Sequence, residues 1–169
     1  MNETRDKKAA YTRSFIFGVE DSLVSTVGLL TGIAVVGIDK QTIVLIGIIL
    51  IFVEAFSMAI GDLLSEHSAQ EYSQQSEIPI GTAVKSGIIM FFAYFLSGFI
   101  PLFPYFVWDP SKAYQFSIAG SLLALFILGS GSARFSKTRL VKHGLQMMLL
   151  GGFAIAVGVL AGQLTQKIL

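Results

Sequence analysis

Residues 42–64 read TIVLIGIILIFVEAFSMAIGDLL, an apolar run in which only Glu54 and Asp62 carry charge. About 20 such residues are needed to cross the roughly 30 Å hydrocarbon layer of a bilayer. The run shows no apolar–polar alternation of period two, so a membrane β-strand is a poor description. A helix is then the remaining way to pair every backbone N–H and C=O in lipid. Four more runs of similar length lie on either side, at 15–37, 83–104, 114–132 and 144–165. Composition agrees: 53% of the 169 residues are hydrophobic and 14% are charged, against about 25% charged in soluble domains. The expected fold is an all-α membrane protein, a five-transmembrane-helix bundle, and residues 1–169 read as a single transmembrane domain. The connection at 65–82 is polar, its first part reads as an extension of the second helix, and Pro79 marks a break before the third. The edge of the fourth segment is least defined, because Gly129 and Gly131 either end that helix early or let a neighbour pack closely.

Basic residues near helix ends stay on the cytoplasmic side. With five crossings, one side receives Arg5, Lys7, Lys8, Arg13, Lys85, Arg134, Lys137, Arg139 and Lys142, and the other only Lys40, Lys112 and Lys167. That split places the N-terminus in the cytoplasm and the C-terminus outside or in a lumen. A cleaved signal peptide over 5–37 is disfavoured by the length of its apolar stretch and by Glu20 and Asp21. The absence of cysteine excludes thiolate metal sites and a Cys nucleophile, and His67 and His143 are too few for a three-His site. A net charge of +1 offers no field for nucleic acid. There is no Gly-x-Ser-x-Gly elbow and no His-Glu-x-x-His pair, so an enzyme is not expected, and no cofactor is implied.

Ionisable groups within a membrane helix cost about 2.5–3.5 kcal/mol each on the insertion scale, and chains that keep them at depth use them. Glu20, Asp21, Glu54 and Asp62 are such groups. The plain alternative is that those near helix ends face water or pair with nearby Lys and Arg; Glu54, about ten residues or ~15 Å inside its helix, has no such escape. Glu54, Met58, Asp62 and Glu66 recur every four residues and form one stripe. Counting inward from Phe15 and Leu64 puts Asp21 and Met58 at one depth, ~9 Å from the same edge. Carboxylates with one thioether suit a divalent ion such as Fe²⁺ or Mn²⁺, with Mg²⁺ and Co²⁺ left open. Carboxylates lose protons to bind a cation, which supplies a route to proton-coupled exchange, with Glu54 and Asp21 as the proton-exchanging groups. Met147 and Met148 are further soft donors, although packing is the more ordinary role.

The run Phe17-Gly18-Val19-Glu20-Asp21-Ser22-Leu23-Val24 and, above all, Ser57-Met58-Ala59-Ile60-Gly61-Asp62-Leu63-Leu64-Ser65-Glu66-His67-Ser68 resemble the first two helices of the vacuolar iron transporter family. Leu125-Phe126-Ile127-Leu128-Gly129 and the 144–152 stretch are similar to its fourth and fifth helices. The resemblance implies an ion path through Asp21 and Met58, a homodimer with that path near the subunit interface, and export of Fe²⁺ or Mn²⁺ from the cytoplasm in exchange for protons. It implies a vacuole-type membrane in a eukaryote or the plasma membrane in a prokaryote. Two departures stand out. Ser22 occupies a place where the family usually has Gly, and the 18 residues from Ser65 to Thr82 cannot form the long metal-binding insertion of well-studied members. A passive divalent-cation channel with an acidic pore is the nearest rival. Gly28-Leu29-Leu30-Thr31-Gly32 and Gly158-Val159-Leu160-Ala161-Gly162 both fit the Gly-x-x-x-Gly contact pattern, within one chain or across a dimer. Pro101 and Pro104 are expected to end or kink the third helix, beside an interfacial aromatic belt of Tyr105 and Trp108.

Overall fold

The structure, a computed structural model, describes residues 3–135 and 139–168. It consists of α1 (Glu3–Val35), α2 (Lys40–Gln74), α3 (Gly81–Val107), α4 (Pro110–Phe135) and α5 (Leu140–Ile168), with no strand among the described residues. All five are long and apolar enough to cross a membrane. The helices reach beyond the apolar stretches that mark them in the sequence, most of all at the N-terminal end of the bundle: α1 begins twelve residues before Phe15, and α2 continues ten residues beyond Leu64 before Gln75 closes it in the left-handed conformation at φ 50°. Lys137, one of the nine cations used to orient the chain, lies outside the described residues.

The turns have local causes. Gly37, at φ +85°, stops α1. Its N–H donates to the Ala34 carbonyl at 3.1 Å and the N–H of Ile38 to that of Ile33 at 3.3 Å, the double closure that a left-handed glycine permits. Two residues later Asp39 caps α2, accepting from the Thr42 N–H at 3.0 Å and the Thr42 hydroxyl at 2.7 Å. These donors hold the exposed Asp39 carboxyl below the usual aspartate range, the side-chain bond from Thr42 contributing most.

The chain winds antiparallel, so the termini fall at opposite ends of the bundle. Ser14 near the start of α1 meets Asp62 late in α2, and Gln166 near the end of α5 donates to the carbonyl of Val36 beyond α1. Helix α1 is central and touches the other four. Half of the membrane-crossing window is buried in α1 and in α3, against 22% in α2, 28% in α4 and 17% in α5. The outer three helices accordingly present large apolar side chains such as Leu45, Ile49, Leu123, Leu149 and Phe153 outward, as lipid contact requires.

Glycines set the closest helix contacts. A Cβ added at Gly158 would lie 2.9 Å from the carbonyl oxygen of Gly28 and 3.0 Å from its Cα, and one added at Gly32 would lie 2.9 Å from the Gly158 oxygen. The two Gly-x-x-x-Gly segments therefore pack against each other, α1 on α5, inside one chain. Gly129 does the same for α4, where an added Cβ would come 3.0 Å from the Gly144 Cα; α4 does not stop there but continues to Phe135.

At the end away from the N-terminus, Leu30, Ile43, Ile51, Leu102 and Tyr105 form a fully buried apolar cluster. Tyr105 thus belongs to the core and not to an interfacial belt, because α3 passes through Pro101 and Pro104 to Val107 and turns that side chain inward. Ser117 on α4 donates to the carbonyl of Pro101 at 2.8 Å. Trp108 remains at the rim, stacked on Phe116 at 4.5 Å.

Candidate functional site

The acidic residues of α1 and α2 are brought together in two layers. In the layer nearer the N-terminal end, the Ser14 hydroxyl donates to Asp62 Oδ2 at 2.8 Å and Arg13 forms an ion pair with Glu66. Gln70, one turn further along α2, donates to the other Glu66 oxygen at 2.8 Å. Glu66 is only 7% exposed, and both of its oxygens are occupied. Asp62 lies within electrostatic reach of Arg13 and Glu66. This layer fastens the start of α1 to α2.

The second layer is deeper. Seven residues along α1 from Ser14 lead to Asp21, ~10 Å, and eight back along α2 from Asp62 lead to Glu54, ~12 Å. The two carboxylates arrive at one level, within electrostatic reach of each other. The fully buried Tyr94 of α3 has its phenol within electrostatic reach of both and shares a 2.7 Å hydrogen bond with the Ser25 hydroxyl. Ser22 donates to the Tyr94 backbone carbonyl at 2.7 Å. Gly98 permits that approach, since a Cβ there would lie 3.0 Å from the Ser22 oxygen. Ser22, the departure noted in the sequence, is thus a fully buried tie between α1 and α3.

This register differs by about one turn from the one counted from the apolar edges. Asp21 stands level with Glu54, and Met58 falls between the layers, nearer the level of Gly18. The cause is the length of α2: its apolar edge at Leu64 is not level with Phe15 but one turn beyond. Met58 is half-buried on the stripe, as are Glu54 and Asp62, and Glu20 is half-buried beside Asp21. Among the described residues no three His, Asp or Glu side chains converge closely enough to hold an ion; the acids come as pairs. Met147 packs at Gly129 between α4 and α5. His67 sits 3.4 Å from Glu71 on the polar extension of α2, and His143 is exposed.

Sequence reasoning missed Tyr94 and Ser25. The available signal was a tyrosine in the middle of an apolar helix, since a buried phenol needs a polar partner.

Residues 12–79 and 71–163 match the VIT family, two spans that cover most of the chain and meet in the α2–α3 connection. The chain belongs to the VIT family. It is 28% identical over 166 residues to vacuolar iron transporter homolog 1 of Arabidopsis thaliana, covering 89% of this chain and 81% of the relative. Homolog 4 of the same plant is 27% identical over 164 residues, covering 89% and 82%. The two family spans meet at 71–79, where α2 gives way to the turn before α3.

Proposed function

We propose that this VIT-family chain carries Fe²⁺ or Mn²⁺ out of the cytoplasm in exchange for protons, as a homodimer in a vacuole-type membrane or a plasma membrane, with its N-terminus cytoplasmic. One observation carries the reading: two carboxylates from different helices, Asp21 and Glu54, lie within electrostatic reach of each other inside a bundle of membrane-length helices, with the buried Tyr94 phenol within reach of both. Such a pair has no apolar use, and each uncompensated charge at that depth costs about 2.5–3.5 kcal/mol. A dication compensates both charges and must displace their protons to bind.

Asp21 and Glu54 are the ion-holding and proton-exchanging groups. Met58, one turn toward the N-terminal end, gives the ion a soft donor as it arrives, and Glu20 adds negative potential. Asp62 and Glu66 border the entrance, with Glu66 held by Arg13 until the entrance opens. A single chain offers too few ligands, and these acids are only half-buried. A second copy covering the same face supplies the rest, which supports a dimer. The names of the plant relatives support iron as cargo.

The test uses proteoliposomes with a metal-quenched internal dye, across Fe²⁺, Mn²⁺, Co²⁺, Zn²⁺ and Ca²⁺, with and without a pH gradient. Uptake driven by the gradient is expected, nearly abolished by Asp21→Asn, with gradient dependence weakened by Glu54→Gln. Flux indifferent to the gradient would establish the passive channel instead, and native behaviour of both variants would make the acids structural.

A further inference from the structure

Hydroxyl side chains recur in the interior beyond the paired acids: Ser25, Thr26 and Thr31 on α1, Tyr94 and Tyr105 on α3, and Ser117 and Ser121 on α4. All but Ser25 are fully buried. Thr26, Thr31, Tyr105 and Ser121 close no hydrogen bond among the described residues. A buried hydroxyl without a partner is costly, and folded proteins satisfy the great majority of such groups with protein or with ordered water. These four are not scattered. Tyr94 and Tyr105 are eleven residues apart, about three turns of α3, and so share one face. The Tyr94 phenol has Ser25 at 2.7 Å and Thr26 beside it, and the Tyr105 phenol has Thr31 and Ser117 beside it. Between the two tyrosines, Pro101 carries no N–H to give the Ser97 carbonyl, while the Pro101 carbonyl accepts from Ser117 at 2.8 Å. Ser121 stands one turn from Ser117 on α4, which runs against α3, and so comes level with Ser97. Thr26 and Thr31 lie ~7.5 Å apart along α1, a gap that two waters at ordinary O–H···O spacing bridge.

We infer that α1, α3 and α4 enclose a line of hydroxyls and bound water that brings the proton from the far side of the membrane to Asp21 and Glu54, apart from the route of the ion. The line rests on the proposed exchange and gives its proton a path. It starts at the Tyr94 phenol, within reach of both carboxylates, and ends at Thr31 and Tyr105, one turn before α1 closes at Val35. Each hydroxyl or water accepts a proton on one side and releases its own on the other. One proton therefore enters beside Tyr105, one arrives on a carboxylate of the emptied pair, and nothing between them changes. Residues 22–38, 86–107 and 113–133 contain no charged side chain, so a dication finds no charge along this line to replace its shell, whereas a proton passed between hydroxyls needs none.

Two measurements test the line, and the first needs no transport. X-ray radiolysis of the purified full-length protein in isotope-labelled water generates hydroxyl radicals in place, so a buried side chain is labelled only where water sits beside it. Tyr105 is expected to be labelled comparably to Tyr72, which is 81% exposed, and the equally buried Leu102 is not. The second measurement is Mn²⁺ uptake into proteoliposomes under a pH gradient. Thr31→Val and Tyr105→Phe keep the shape of each side chain and remove its hydroxyl. Together they should slow gradient-driven uptake about tenfold or more, since proton transfer by a positioned group is worth about 10²–10⁴-fold, while Mn²⁺ binding to the solubilised protein stays at the native affinity. Thr165→Val, at an exposed hydroxyl on α5, should change neither. Native uptake that ignores the gradient would overturn the proposed exchange and this path with it. Gradient-driven uptake that keeps its native rate in the double variant, or a Tyr105 left unlabelled in the native chain, would overturn the path alone.

Discussion

Replacing Gly158 by Ala tests whether the α1–α5 glycine contact lies inside one chain. In an open helical position, Gly→Ala stabilises a helix by roughly 0.8–1.0 kcal/mol through restricted backbone freedom. At Gly158 the new methyl would stand 2.9–3.0 Å from backbone atoms of Gly28, which cannot swing aside as a side chain would. Ordinary contact begins near 3.5 Å, so the helices must part by about half an ångström, and a gap of that size forfeits about a quarter of the dispersion well at the neighbouring contacts. Overpacking of this kind costs about 1–3 kcal/mol. Subtracting the propensity gain leaves a net loss of about 0–2 kcal/mol. Gly120→Ala is the control, since nothing lies within 4 Å of a Cβ built there, and it should gain up to about 1 kcal/mol. The assay is denaturant unfolding in mixed micelles, followed by the fluorescence of Trp108, with oligomeric state recorded alongside. The two variants should move in opposite directions while oligomeric state stays the same. Equal stabilisation of both, or dissociation of an oligomer by Gly158→Ala alone, would refute the intramolecular packing.

Arg13→Gln removes the guanidinium from Glu66 and leaves Gln70 as its partner. Because the Arg13 side chain is 60% exposed, the expected stability loss is about 1 kcal/mol and not the larger cost of breaking a buried pair; the same denaturant assay reads it. Met58→Leu keeps most of the volume and loses the sulfur, so liposome uptake of Fe²⁺ and Co²⁺ should fall more than that of Mn²⁺, the harder ion. Leu50→Ser, one turn beyond Glu54 on the same stripe, should introduce a leak that ignores the pH gradient, measured as dye quenching at equal pH. The Asp39 carboxyl, held below its usual range, stabilises the folded chain above the unfolded value, and that contribution is lost as pH falls through the lower folded value. The stability difference between native chain and Asp39→Asn should therefore be present at neutral pH and vanish in strong acid.

The five-helix plan was legible because the bilayer fixes both the length and the apolarity of a crossing, and the acids of α1 and α2 stood out against that background. The partners of those acids were not legible. Helix edges read from hydropathy are blurred by about a turn, because lipid-facing and headgroup-level positions accept similar residues, and α2 extends well past its apolar limit. The count from those edges set Asp21 level with Met58, whereas the acid within electrostatic reach of Asp21 is Glu54. Tyr94 escaped notice because helix–helix rotation, which points its phenol at the acids, has no periodic signature in a helix that is apolar nearly all round. Tyr105 was misplaced for a related reason: an aromatic near a proline at a helix end reads as interfacial, yet α3 continues through both prolines and buries it. The Gly-x-x-x-Gly segments showed which surfaces make close contacts but not with whom, and only their juxtaposition in space resolves an internal seam.

The distribution of polarity along the α2 stripe bears on how an ion would pass. Toward the N-terminal end the stripe carries Glu54, Met58, Asp62 and Glu66; toward the other end it continues as Leu50 and Ile46, and residues 43–53 contain no polar side chain at all. At 1.5 Å per residue that is an apolar wall of roughly 16 Å, and behind it Leu30, Ile43, Ile51 and Leu102 are closed to solvent. On α1 the corresponding stretch does carry hydroxyls, at Ser25, Thr26 and Thr31, of which Thr26 and Thr31 are fully buried. One wall is therefore polar and its opposite dry. A pore that conducts in one fixed conformation needs polar groups or water along its whole length, because a dehydrated dication has nothing to replace its shell on an apolar wall. On the proposed function, the asymmetry fits a carrier in which Asp21 and Glu54 hold the ion while the helices around them rearrange. On the proposed function the proton also has a reason to take part, since the emptied pair must change access without its metal, and neutralising the two carboxylates removes the charge that a closed, dry site penalises.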